Sequence, residues 1–78
     1  MNNTRRKALT QISERITEIK DLLEEIQQDE SDCFDNLPEG IQQSERGEAI
    51  EVAAENLESA VSSLDECLDL ISTAINGE

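Results

Sequence analysis

The spacing of apolar residues constrains this chain more than any other feature. From Leu9 they run Leu9, Ile12, Ile16, Ile19, Leu23 and Ile26, at intervals alternating between three and four. Residues so spaced form one stripe on an α-helix and cannot alternate across a strand. The pattern is a heptad, with Ile12, Ile19 and Ile26 in one row and Leu9, Ile16 and Leu23 in the other. Leu22 and Ala8 widen the stripe on one side. Thr4 supplies a capping hydroxyl, and neither Gly nor Pro occurs before Pro38, which predicts a helix over about residues 4–33.

A second heptad segment follows. Ile50, Leu57, Leu64 and Ile71 recur at intervals of seven, beside a row of Ala54, Val61, Leu68 and Ile75. A third row, Ala53, Ala60, Cys67 and Ala74, consists of small residues, which let a neighbouring backbone approach closely. Ser44 is the expected N-cap, Glu45 and Glu48 suit the positive end of the macrodipole, and Gly77 closes the helix, predicted over about 44–76. Gly47 costs about 1 kcal/mol of propensity relative to Ala, so the first turn is expected to be frayed or closely packed.

Between the two lies Phe34-Asp35-Asn36-Leu37-Pro38-Glu39-Gly40-Ile41-Gln42-Gln43. Pro38 drives Leu37 from the α region and can start a short helical turn over 38–43, with Phe34, Leu37 and Ile41 as an apolar plug. So short a connection makes the helices antiparallel neighbours. The fold predicted is all-α, one helical-hairpin domain over 1–78. Its apolar faces are too wide for a single partner helix, so pairing of two copies into a homodimeric, antiparallel four-helix bundle is expected. Core packing explains these rows better than a groove for another partner, and it assigns Ile12, Ile16, Ile19, Leu23, Ile26, Ile50, Leu57, Val61, Leu64, Leu68 and Ile71 to the core and dimer.

Charge separates this chain from a generic bundle. Its 78 residues carry six Lys and Arg against nineteen Asp and Glu, a net −13 without histidine. Residues 1–20 hold five bases and two acids, whereas residues 21–78 hold Arg46 and seventeen acids. On the second helix Glu48, Glu51, Glu55, Glu58, Asp65, Glu66 and Asp69 have no base three or four residues away to pair with. Their like-charge neighbours cost on the order of 1–2.5 kcal/mol in total, less than the apolar rows return. The acids therefore have two readings. They keep a small apolar bundle soluble, or they present an acidic face, Glu48, Glu51, Glu55, Glu58, Asp65 and Asp69, to a basic protein surface. Over ~36 Å the fifteen acids from the two helices approach the linear charge density of duplex DNA. That disfavours direct nucleic-acid binding and suits nucleic-acid mimicry.

Other classes of function find little purchase. No Ser or Cys stands beside a base, no Gly-rich phosphate loop occurs, and the chain has no His or Tyr, so no enzyme and no cofactor are expected. Asp29, Glu30, Asp32 and Asp35 cluster without the alternation and central Gly of a calcium loop, so no metal site is expected either. The apolar runs are too short for a membrane span or signal core despite the basic start, making the cytoplasm the expected compartment. Cys33 and Cys67 lack metal-site spacing. With the turn centred near residue 39 or 40, Cys33 falls level with about residue 46, ~30 Å from Cys67, too far for a disulfide within one chain.

Phe34-Asp35-Asn36-Leu37-Pro38-Glu39, Gln42-Gln43-Ser44-Glu45-Arg46-Gly47-Glu48, and the Asn56-Leu57-Glu58 and Ser63-Leu64-Asp65-Glu66 units resemble short acidic helical-hairpin proteins of unknown function from bacteria and their phages or mobile elements. The resemblance covers nearly the whole chain and is most distinctive in the loop. It implies a helical hairpin with no catalytic residues to carry over. It also implies an accessory role, such as an inhibitor that mimics nucleic acid.

Overall fold

The computed structural model describes residues 1–77. Two long helices, α1 (Asn3–Asp35) and α3 (Glu45–Asn76), flank a single turn of helix, α2 (Glu39–Gln42). α1 and α3 pack antiparallel along their length, and the molecule is a rod of 58 × 16 × 13 Å. A 33-residue helix such as α1 spans ~50 Å by itself, so helix length sets the long axis.

The helix ends refine the sequence reading. Asn2, rather than Thr4, caps α1: its backbone is extended, and its side-chain oxygen accepts from the Arg5 N–H at 2.8 Å. Asn is as good a cap as Thr, and using it starts the helix two residues earlier at the basic end. α1 continues past Cys33 to Asp35, because Pro38 restricts only the residue before it. The Asn36 N–H still donates to Asp32 O at 3.0 Å, and the Leu37 N–H to Phe34 O at 3.1 Å. Pro38 then precedes α2, and its carbonyl accepts from the N–H groups of Ile41 and Gln42 at 2.8 and 2.9 Å.

Ser44 caps α3 as expected, accepting from the Gly47 N–H at 3.4 Å while its hydroxyl donates to Ile41 O. Gly47 is one of two buried residues among those described, the other being Val61. A Cβ on Gly47 would overlap the carbonyl oxygen of Gln42 and lie 2.5 Å from that of Ile41. The missing side chain is what lets α3 lie against α2, so the first turn is closely packed. The Gln42 side-chain amide crosses to Phe34 O at 2.9 Å and ties α2 to α1. Phe34 and Leu37 are half-buried at this end, whereas Ile41 is 39% exposed and only partly joins the plug.

Lys20 Nζ meets Asp65 Oδ1 at 2.8 Å across the seam. Residue n of α1 therefore lies level with about residue 85 − n of α3. Cys33 sits level with about residue 52, not 46, because α3 begins beyond the end of α1 and overhangs it by its first turns. The fifteen residues from there to Cys67 still amount to ~22 Å, and both thiols are free.

Candidate interaction surface

The seam between the helices follows a narrower strip of α1 than the apolar stripe. Leu9, Ile16 and Leu23 face α3, as their row predicts. The row completing the seam is polar: Arg6, Ser13, Lys20 and Gln27, at intervals of seven, are half-buried. Ile12, Ile19 and Ile26 lie roughly a quarter-turn to the other side and remain 45%, 52% and 50% exposed, with Leu22 beside them at 59%. One helix covers only part of a face this wide. On α3, Ile50, Ala54, Leu57, Leu64, Leu68 and Ile71 are half-buried and Val61 is 8% exposed. Val61 is the one apolar side chain enclosed by a single hairpin among the described residues.

The hairpin consequently has two unlike flanks. Lys20 and Asp65 mark the polar one. Helical geometry, at ~100° per residue, puts Glu51, Glu58 and Asp69 on the same sector of α3 as Asp65, with Glu48 and Glu55 next to them. Gln27, Ser31 and Asp35 of α1 meet Glu51, Glu55 and Glu58 of α3 along a shallow open groove on that side. By the same geometry the opposite flank carries Ile12, Ile19 and Ile26 of α1 alongside Leu64, Ala53, Ala60 and Cys67 of α3. The small row is half-buried at Ala53, Ala60 and Cys67, while Ala74 near the chain end is exposed.

All six acids read from the sequence as an acidic face are exposed. Asp65 differs from the rest, since Lys20 of α1 neutralises it across the seam. The hydrogen bond to Asp65, followed by its charge and those of Glu24 and Asp21, holds the Lys20 ammonium above its ordinary pKa of 10.5. Sequence reading within one helix misses this pair because its members are 45 residues apart; the signal was Lys20 occurring in the heptad row of Ser13 and Gln27. Among the described residues no three carboxylates or thiols converge to hold a metal ion, and no helix is long and apolar enough to cross a membrane. Asp29, Glu30, Asp32 and Asp35 are spread around the end of α1, where Asp32 accepts from the Gln28 amide at 3.0 Å.

Comparison with models of protein families, with curated proteins and with solved structures finds no match to this chain.

Proposed function

We propose that this chain is a non-enzymatic interaction protein: a homodimeric four-helix bundle, formed over the apolar flank, that offers its acidic flank to a basic protein surface. The separation of the two flanks carries the reading. Ile12, Ile19 and Ile26 expose about half of each side chain on one side, and Glu51, Glu55, Glu58 and Asp69 stand on the other with no cation paired to them among the described residues. A dimer over the first leaves the second free. Surface area supports the first half of this reading. The chain exposes 5712 Å², about 1,000 Å² beyond the ~4,700 Å² expected of a compact monomer of its mass. An excess of that order matches the ~800 Å² each partner buries in a standard interface.

A basic partner held by this flank is held electrostatically, so its retention falls as salt screens charges beyond about 10 Å at 0.1 M. The test is a pulldown with the wild-type chain and with Glu51→Gln, Glu55→Gln, Glu58→Gln together, at low and high ionic strength. The reading expects a basic partner that the wild type retains at low salt and releases at high salt, and that the triple variant fails to hold. Equal capture by both proteins at both ionic strengths contradicts it. The alternative, a purely structural self-assembling bundle, predicts no salt-sensitive partner at all. Nucleic-acid mimicry is the special case in which the captured partner also binds DNA or RNA.

A further inference from the structure

Resting on the dimer proposed above, we infer its orientation: two hairpins pack with their loops at opposite ends, α1 against α1 along Ile12, Ile19 and Ile26, about a two-fold axis at Ile19. Three observations converge on this arrangement.

The first is axial charge. Level with Lys20 and Asp65 the rod divides into two halves. Its loop half, residues 21–64, holds thirteen acids against Arg46, a net −12. The open half, residues 1–20 and 65–77, holds five bases and five acids and is neutral. A second copy with its loop at the same end would set the two −12 halves side by side. Reversed, each acidic half lies against a neutral one that contains Arg5, Lys7 and Arg15, and the repulsion is relieved along the whole rod.

The second is symmetry of the uncovered row. Ile19 is the midpoint of α1, which runs from Asn3 to Asp35. A two-fold axis there pairs Ile19 with itself and Ile12 with Ile26 of the second copy, and it overlaps the two α1 helices over their full length. The same heptad row runs on to Arg5 at one end and Cys33 at the other; Glu30, which continues the half-buried row of Leu9, Ile16 and Leu23, stands about one turn beyond Ile26. Reversed packing sets Arg5 one turn from Glu30 of the second copy, and symmetry makes two such pairs per dimer. Among the described residues no ion pair reaches Glu30 within its own chain.

The third is the complementary face of α3. Its small row, Ala53, Ala60 and Cys67, lies on the same flank as the Ile row, about a quarter-turn from the seam. When α1 meets α1, that row turns toward α3 of the second copy, where small side chains permit close approach. Each helix then has two neighbours at about a right angle, the geometry of a four-helix bundle.

The test uses the full chain with Cys33→Ser and Cys67→Ser, into which Ile12→Cys, Ile19→Cys or Ile26→Cys is placed singly. These positions are half exposed in the hairpin, so it retains its fold, checked by circular dichroism. Under mild oxidation Ile19→Cys is expected to give a linked dimer. Ile12→Cys and Ile26→Cys are expected to link to each other when mixed and refolded, and not to themselves. Self-linking of Ile12→Cys overturns the orientation, as does a dimer in which none of these links forms. Arg5→Glu or Glu30→Arg alone should weaken dimerisation about tenfold, and the double variant should restore it; single variants of unchanged affinity also overturn it. Sedimentation of the parent separates the two levels: a monomer removes the dimer itself, whereas a dimer with the wrong links removes only its orientation.

Discussion

Gly47→Ala sets helix propensity against packing at a position where the two have opposite signs. Propensity alone favours Ala by about 1 kcal/mol. The added Cβ, however, would overlap the carbonyl oxygen of Gln42 and stand 2.5 Å from that of Ile41. Both obstacles are backbone, which cannot rotate away as a flexible side chain does. Relief requires α2 to shift bodily from α3, straining the Ser44 cap and the Gln42 amide bond to Phe34 O. Overpacking of this kind costs typically 1–3 kcal/mol, and a displaced cap about 1 kcal/mol more. The net expectation is a loss of about 1–3 kcal/mol, or roughly 4–24 °C in Tm for a domain of this size. Gly40 is the internal control. Nothing lies within 4 Å of a Cβ there, so Gly40→Ala should gain about 0.4–1 kcal/mol. Urea and thermal unfolding followed by circular dichroism at one fixed protein concentration read both. A Gly47→Ala variant as stable as Gly40→Ala would refute the close approach of α2 to α3.

Further outcomes follow from other parts of the molecule. Leu64→Asp, which places a charge in a half-buried row of α3, should dissociate or unfold the protein by sedimentation and circular dichroism. Glu51→Gln, Glu55→Gln and Glu58→Gln together should leave Tm unchanged or raised, because like charges are removed; a clear fall would reveal partners for those carboxylates. Lys20 has a raised folded-state pKa, so its pairing with Asp65 stabilises the fold fully below the ordinary value of 10.5 and loses that contribution as pH rises through the folded value. Unfolding of the wild type and Lys20→Met across that alkaline window should converge, and parallel curves would contradict the pairing. Alkylation without reductant should add two labels to the monomer, since Cys33 and Cys67 are free and lie at different levels of the rod.

Much of the architecture was written in local signals. The heptad rows of α1 and α3, the Ser44 cap and the break at Pro38 are each decided within a few residues, so two long helices and a helical turn could be read directly. What escaped was relational. The register depends on how far α3 overhangs α1, which is set by the packing of Gly47 on α2 and not by loop length alone. Ile12, Ile19 and Ile26 were legible as apolar, but which neighbour covers them is not a property of one helix. The hairpin spends its seam on Leu9, Ile16 and Leu23 and on the polar row of Ser13, Lys20 and Gln27 instead. The acidic face was legible as composition. Its concentration on the flank away from the Ile row appears only once the register is known.

Sedimentation velocity of the full chain at micromolar concentration, beside Ile12→Gln, Ile19→Gln, Ile26→Gln combined, asks whether one hairpin is half of the functional fold. The wild type should sediment at twice its 8.7 kDa, and the triple variant at 8.7 kDa with its helicity reduced. A wild-type chain that stays monomeric, helical and cooperatively folded would show that the exposed isoleucine row needs no second copy.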